Sequence, residues 1–146
     1  MSVLAVRPAS AADLESIGRI SAARPFTAKW SPSALEAELE RPDSLFLVVG
    51  IPGAVLGYAL ARSSGREARL LDLAVLEDGR GAGRAAFSAL ATAAKARGAG
   101  VLTFEVSDKN ARALAFYARA GAKVVGRRPK FYNDGTDAVL MDLDIP

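Results

Sequence analysis

The chain has 146 residues, of which 51% are apolar and 24% charged, and its formal net charge is +3. These values predict one globular domain, residues 1–146, with a packed core. The sequence contains no cysteine and no histidine, which excludes disulfides, thiolate nucleophiles, Ser-His-Asp chemistry and the commonest metal ligands. We therefore expect no metal, and proton transfer must use carboxylate, phenol or lysine groups, or a bound water.

The beginning of the chain lacks the basic and then apolar layout of a signal peptide, and no apolar run reaches the length of a membrane-spanning helix. We therefore expect a soluble cytoplasmic protein without a membrane partner. The modest positive charge suits an anionic ligand but is a weak argument alone, and no direct nucleic-acid partner is expected. The sequence leaves a monomer and a homodimer equally open.

Hydrophobic periodicity, capping residues and turn residues predict a mixed α/β order of elements. The predicted strands are residues 3–7, 45–50, 55–62, 68–76, 101–106, 123–126 and 138–143. The predicted helices are residues 11–22, 32–40, 84–97 and 109–120. Ser10 and Ser31 are the expected N-caps of the first two helices. Short turns predict an antiparallel meander first and a β-α-β unit after it.

A glycine-rich segment, Gly79-Arg80-Gly81-Ala82-Gly83-Arg84, lies between a predicted strand and a predicted helix. Unpaired backbone N–H groups and the helix dipole make such a turn a site for an anionic phosphate. Farther along, Glu105 near the end of the next strand and Tyr117 on the following helix offer groups for proton transfer. This combination indicates an enzyme that uses a phosphate-bearing carrier.

Other interpretations of these glycines are weaker. The segment fits the dinucleotide fingerprint Gly-x-Gly-x-x-Gly/Ala, with Glu105 near the usual acidic position. However, the glycines begin several residues beyond the strand, and few residues remain for further β-α-β units. A P-loop is excluded because no Gly-Lys-Ser/Thr follows. A loop without any ligand remains an alternative for so short a pattern.

The downstream residues favour one family. Asn110-x6-Tyr117-x3-Gly121 follows Gly81-x-Gly83, and this order resembles the GNAT acetyltransferase superfamily over essentially the whole chain. The resemblance implies the GNAT fold, a mixed α/β (α+β) fold with a central sheet of six to seven strands and about four helices. Within the superfamily the chain looks most like RimI-type ribosomal-protein-alanine N-acetyltransferases. The supporting segments are Pro25-Phe26, Trp30-Ser31, Leu73-Ala74-Val75, Glu105-Val106, and Arg127 to Met141.

The resemblance implies acetyl-CoA as co-substrate and direct transfer of its acetyl group to an amine. The implied acceptor is the N-terminal α-amine of a protein such as a small-subunit ribosomal protein. A small-molecule amine remains an alternative acceptor, and a non-catalytic acyl-CoA-binding module is a third interpretation.

The resemblance also implies roles for individual residues. Glu105 is the expected general base, with Asp72 in reserve, and Tyr117 is the expected acid for the coenzyme A thiolate. Phe26, Trp30, Asp72 and Tyr132 are expected at the acceptor. The residues expected at acetyl-CoA are Leu73, Ala74, Val75, Leu76, Arg80, Gly81, Ala82, Gly83, Arg84, Asn110 and Tyr117.

Structural roles remain open for several of these residues. Tyr117 could be a core aromatic, Asn110 a plain helix cap, and Arg80 and Arg84 solvated surface charges. We expect Gly81 and Gly83 to supply positive φ and close backbone approach.

One departure from the family pattern concerns the donor. Asp78 lies where the family usually has Gln or Arg, and it adds negative charge near the expected diphosphate. This is unfavourable unless Arg80 or Arg84 compensates for it.

Overall fold

The structure is a computed structural model that describes residues 3–146, so residue 1, where the predicted domain begins, lies outside the described part. Its strands are β1 Ala5–Pro8, β2 Ser44–Ile51, β3 Ala54–Ser64, β4 Glu67–Val75, β5 Val101–Ser107, β6 Lys123–Arg128 and β7 Ala138–Asp144. Its α-helices are α1 Leu14–Ala23, α2 Pro32–Glu40, α3 Ala82–Ala96 and α4 Ala111–Arg119. A short 3-10 turn, Ala11–Asp13, precedes α1.

The strands form one seven-stranded sheet in the order β1-β2-β3-β4-β5-β7-β6. All neighbouring strands are antiparallel except β4 and β5, which are parallel and connected through α3. The predicted meander, β-α-β unit, strand number and helix number are therefore confirmed.

The two faces of the sheet carry different helices and different cores. On one face, Leu90 of α3 and Tyr117 of α4 pack with Phe104 of β5. On the other face, Ile17 of α1 and Leu35 of α2 pack with strand residues of β2 to β4. None of the helices in residues 3–146 combines the length and the apolar character that a membrane crossing needs.

Several boundaries differ from the sequence predictions for local reasons. Pro8 lies inside β1, which tolerates it because β1 is an edge strand. The helix expected from Ala11 begins instead with the 3-10 turn, and α4 begins only after Asn110. Arg127 and Arg128, expected in a loop, lie in β6.

The divergence of β4 from β5 determines where a ligand can enter the sheet. The two strands pair only from Glu67↔Val101 to Arg69↔Thr103. Beyond this point, the edge of β4 that faces β5 carries no strand, although its other edge pairs with β3 as far as Val75↔Gly57. Backbone groups on such an open edge can pair with an extended ligand.

Candidate active site

A cavity of about 440 Å³ occupies the gap between the diverging strands. Residues 70–73 of β4 line one side, and Phe104 and Val106 of β5 line the other. Asn110, the N-cap of α4, and Tyr117 within α4 contribute as well, and the loops at residues 25–27 and 132–136 complete the lining. The cavity therefore lies between Phe26 and Tyr132, which we expected at the acceptor, and the helix that carries Tyr117.

A β-bulge in β4 decides where Asp72 lies. Leu70 pairs with Ala61 and Asp72 pairs with Leu60, so Leu71 is an extra residue on β4. Because side chains alternate along a strand, one extra residue reverses the face of every residue after it. The bulge thus turns Asp72 away from the α3 face and toward the core that contains Tyr58.

Asp72 is a buried carboxylate that collects several donors. Its Oδ2 accepts hydrogen bonds from the Tyr58 hydroxyl at 2.6 Å, from Trp30 Nε1 at 2.9 Å and from the Ala28 backbone N–H at 3.3 Å. Burial raises the pKa of Asp72, and the hydrogen bonds from Tyr58 and Trp30 oppose this rise by stabilising the carboxylate. Asp72 also lines the cavity, so its carboxyl group is available to whatever enters.

The same contacts hold the loop that follows α1. Trp30 and Ala28 belong to this loop, and both donate to Asp72. Trp30 packs beside the α1–α2 core and is not among the described residues that line the cavity, although we expected it at the acceptor with Phe26, Asp72 and Tyr132. Phe26, 53% exposed, lines the cavity from the same loop.

Glu105 lies on the same face of the sheet as Asp72. Its neighbours Phe104 and Val106 belong to the opposite core, and side chains alternate along β5. Glu105 Oε1 lies 2.7 Å from Arg69 Nη2 and 3.9 Å from Arg128 Nη1, and its side chain is only 13% exposed. Two arginine side chains therefore lie beside the Glu105 carboxylate.

Tyr117 belongs to an aromatic cluster and also lines the cavity. Its ring centroid lies 4.4 Å from that of Phe104 and 5.4 Å from that of Phe87. In residues 3–146, no side chain or backbone group hydrogen-bonds to its hydroxyl. Burial raises the pKa of Tyr117, with a smaller contribution from the charge of Asp72, so the phenol keeps its proton at neutral pH.

The glycine-rich segment ends at the N-terminus of α3. Gly81 caps this helix with φ of 81°, and Gly79 has φ of 83°. The expected positive φ is wrong for Gly83, which lies inside α3 and is not among the residues of positive φ. A Cβ on Gly83 would lie 3.7 Å from the Phe116 ring, which is ordinary van der Waals contact, so packing against α4 does not require glycine there. The first N–H groups of α3 lack intrahelical partners and remain available to an anion.

The charges on this segment are arranged differently from the sequence expectation. Arg80 Nε lies 2.9 Å from Glu77 Oε2, so Arg80 does not compensate Asp78. Arg24 and Arg112 contact Asp78 instead. The exposed Arg84 follows in the first turn of α3.

Asn110 combines a capping position with a place at the cavity. Its Oδ1 accepts a hydrogen bond from the Ala113 N–H at 3.2 Å, which is the N-cap geometry of α4. Asn110 also lines the cavity, so the cap faces the space where we expect the donor.

Sequence reasoning missed Tyr58, Arg69 and the counter-charges of Asp78. Each of these residues contacts its partner across strands or between distant elements, and no local sequence spacing predicts such a contact. The alternation along β3 and β4 could have suggested Tyr58 only if the bulge at Leu71 had been known.

The comparisons with known proteins agree with this geometry. Residues 18–122 match the sequence profile of the Acetyltransferase (GNAT) family. The chain is 34% identical over 119 residues to streptothricin acetyltransferase of Streptomyces lavendulae, in a match that covers 75% of this chain but only 63% of that enzyme. It is 29% identical over 141 residues to a Bacillus subtilis protein whose proposed activity is ribosomal protein bS18-alanine N-acetylation, covering 94% and 93% of the two chains. The crystal structure of Ard1 from Thermoplasma volcanium superposes with a TM-score of 0.87 at 28% identity, over 98% of each chain.

Proposed function

This chain belongs to the acetyltransferase (GNAT) family, and we propose that it acetylates the N-terminal α-amine of a protein, with a small-subunit ribosomal protein as acceptor. Membership makes the chain an N-acetyltransferase that uses acetyl-CoA as its donor. The protein acceptor and the roles of individual residues are the parts we propose.

The observation that carries the proposal is the gap between β4 and β5. It has an open strand edge at residues 73–76, a helix N-terminus beside it, and a cavity that reaches the acceptor loops. We propose that β4 pairs with the pantetheine amides, while the N–H groups at residues 80–84 bind the diphosphate. Acetyl-CoA supplies an activated thioester at the end of that arm.

We propose separate roles for Glu105, Tyr117 and Asp72 in the transfer. Glu105 takes one proton from the acceptor ammonium through a water, which frees the nitrogen lone pair. The amine nitrogen then bonds to the carbonyl carbon as the C–S bond breaks, and the second proton that the nitrogen loses passes to solvent. Tyr117 donates its phenolic proton to the departing sulfur. The demand on Glu105 is mild, because a free α-amine has a pKa of about 8. Asp72 attracts the ammonium form of the acceptor toward the cavity.

The loops at residues 25–27 and 132–136 favour the terminus of a peptide chain as the acceptor. Phe26 and Tyr132 line the cavity from two different loops, and Phe26 is exposed. Such a slot admits an extended and flexible peptide terminus. The Bacillus subtilis relative, which matches nearly the whole chain, is named for this kind of acceptor.

A small-molecule amine is the second candidate, and the Streptomyces lavendulae relative favours it. That enzyme is named for streptothricin, but the chain spans less than two thirds of its length. A cavity of about 440 Å³ lies within the size range of small-ligand sites. A third interpretation, a module that binds acyl-CoA without turnover, depends on the negative charge that Asp78 adds near the expected diphosphate.

One assay separates the three candidates. The protein is incubated with acetyl-CoA and either alanine-starting peptides or a panel of small amines, with thiol release and product mass as readouts. Acetylated peptide N-termini support the proposal, and acetylation of small amines alone contradicts it. Donor binding by calorimetry without thiol release on any acceptor would favour the non-catalytic module.

A further inference from the structure

A cluster of one aspartate and two arginines lies next to the gap between β4 and β5, since Pro25 and Ala113, the chain neighbours of the two arginines, line the cavity there. Asp78 lies on the segment that leads into α3, Arg24 directly follows α1, and Arg112 lies in the first turn of α4. Arg24 Nη2 lies 2.6 Å and Arg112 Nε 3.5 Å from the same oxygen, Asp78 Oδ2. Since α1 and α4 cover opposite faces of the sheet, the carboxylate joins the two sides.

The cluster carries more positive charge than its own carboxylate neutralises. Two guanidinium groups face one carboxylate, which leaves a surplus of one positive charge. Each guanidinium has five N–H donors, and together the two groups have more donors than one carboxylate can accept from. The Arg112 side chain is 72% exposed, so its remaining donors are open to solvent.

We infer that Arg24 and Arg112 bind a phosphate group of coenzyme A, and that Asp78 is their counter-ion only while the donor is absent. The inference rests on the proposed position of acetyl-CoA in the gap. A phosphate carries more charge and more acceptor oxygens than a carboxylate, and its geometry matches the planar guanidinium fork. It can therefore replace the Asp78 carboxylate as the partner of both arginines.

The negative residues on the segment make such a replacement necessary. Glu77 and Asp78 lie just before the α3 N-terminus, where they interact favourably with the helix dipole in the free protein. A bound diphosphate would be repelled by both of them. Arg80 pairs with Glu77, and among the described residues the arginines in contact with Asp78 are Arg24 and Arg112, which lie outside the segment.

The inference has an unusual consequence for Asp78. A residue that competes with the donor for two arginines weakens donor binding, and its neutralisation should strengthen it. Asp78→Asn keeps the size of the side chain and removes the charge. We expect this variant to bind coenzyme A about fivefold more tightly at low salt.

The test measures binding by calorimetry for the wild type, Arg24→Ala, Arg112→Ala and Asp78→Asn. Each arginine variant should bind coenzyme A about tenfold more weakly. Arg119→Ala, at the other end of α4, is the matched control and should bind like the wild type. Dephospho-coenzyme A distinguishes the 3′-phosphate from the diphosphate, because the arginine effects disappear with it only if the 3′-phosphate is the partner.

Pantetheine, which lacks every phosphate, separates direct contact from damage to the fold. The arginine variants should bind it as the wild type does. Weaker pantetheine binding by the arginine variants would overturn the inference, and so would a loss of coenzyme A affinity in Arg119→Ala. Coenzyme A binding within about twofold of wild type in both arginine variants would overturn it as well. Should Arg24→Ala fail to fold, Arg24→Gln and Arg112→Ala give the same comparison. A wild type that binds no coenzyme A contradicts the proposed function instead.

Discussion

Tyr58 donates its hydroxyl to Asp72 across the β3–β4 pair at 2.6 Å, from a position without solvent exposure. Burial raises the pKa of Tyr58, and the neighbouring carboxylate raises it further, so the phenol remains the donor at neutral pH. The hydrogen bond from Trp30 connects the same carboxylate to the loop at residues 25–30. Asp72 therefore joins β4, where we propose that the donor binds, to the loop that we propose borders the acceptor.

Asp72→Ala should therefore affect both stability and acceptor binding. The substitution leaves the Tyr58 hydroxyl and the Trp30 N–H without their acceptor, at a cost of about 2–4 kcal/mol in the free energy of unfolding. We expect KM for the acceptor to rise more than KM for acetyl-CoA, because the loop at residues 25–30 loses its anchor. Urea unfolding and steady-state kinetics measure the two effects.

Asp72→Asn is the informative companion to this variant, because its side-chain oxygen can still accept from Tyr58 and Trp30. We expect it to unfold at nearly the wild-type urea concentration and to show a raised KM for a cationic acceptor. A wild-type KM in Asp72→Asn would contradict the proposed attraction of the ammonium group.

Glu105→Gln should lower kcat by about a hundredfold while leaving acetyl-CoA binding unchanged, because it removes the proposed base but keeps the shape of the side chain. Glu67→Gln, at the exposed start of β4, is the control and should behave as the wild type. Full activity in Glu105→Gln would exclude the assigned role.

Tyr117→Phe should retain its fold and donor affinity, since the ring contacts with Phe104 and Phe87 remain. The loss of the proton donor should reduce kcat by about a hundredfold with acetyl-CoA. The defect should shrink with a donor whose leaving thiol has a lower pKa, because such a thiolate needs no proton. An equal defect with both donors would indicate that Tyr117 acts only in packing.

The ion pair between Arg7 and Asp13 should make the free energy of unfolding depend on pH in the acidic range. Hydrogen bonds from Arg7, and from the backbone of Ser10, hold the pKa of Asp13 at about 2, below its ordinary 3.8. Because the folded pKa is the lower one, the stabilisation is complete above about pH 4 and is lost as the pH falls through 2. Solvent screens the half-exposed Arg7, so we expect about 1–2 kcal/mol.

Asp13→Asn tests this dependence directly. The variant should be less stable than the wild type at pH 6, and the two unfolding free energies should converge near pH 2. Asp43→Asn, whose exposed partner is Arg41, serves as the comparison and should have a smaller effect. A constant difference between wild type and Asp13→Asn over the whole pH range would contradict the assignment.

Local patterns were enough for most of the fold and for the family. Alternating apolar residues, the Ser31-Pro32 start of α2 and the glycines before α3 are short-range signals, and the structure confirms the elements that they predict. Gly81 and Tyr117 could be identified because their spacing along the chain is itself the family pattern. Such features depend only on residues that are close in the sequence, so they can be predicted without the tertiary structure.

The chemical surroundings of the site depend on long-range register instead. One extra residue at Leu71 turns Asp72 toward Tyr58, and no composition or period announces that bulge. Arg24 and Arg112 meet at Asp78 only because α1, α4 and the start of α3 converge where β4 and β5 separate. Arg112 and Arg24 lie 34 and 54 residues from Asp78 in the chain and become its neighbours only through folding. The sequence therefore identified the aspartate as a departure from the family pattern but could not predict its partners.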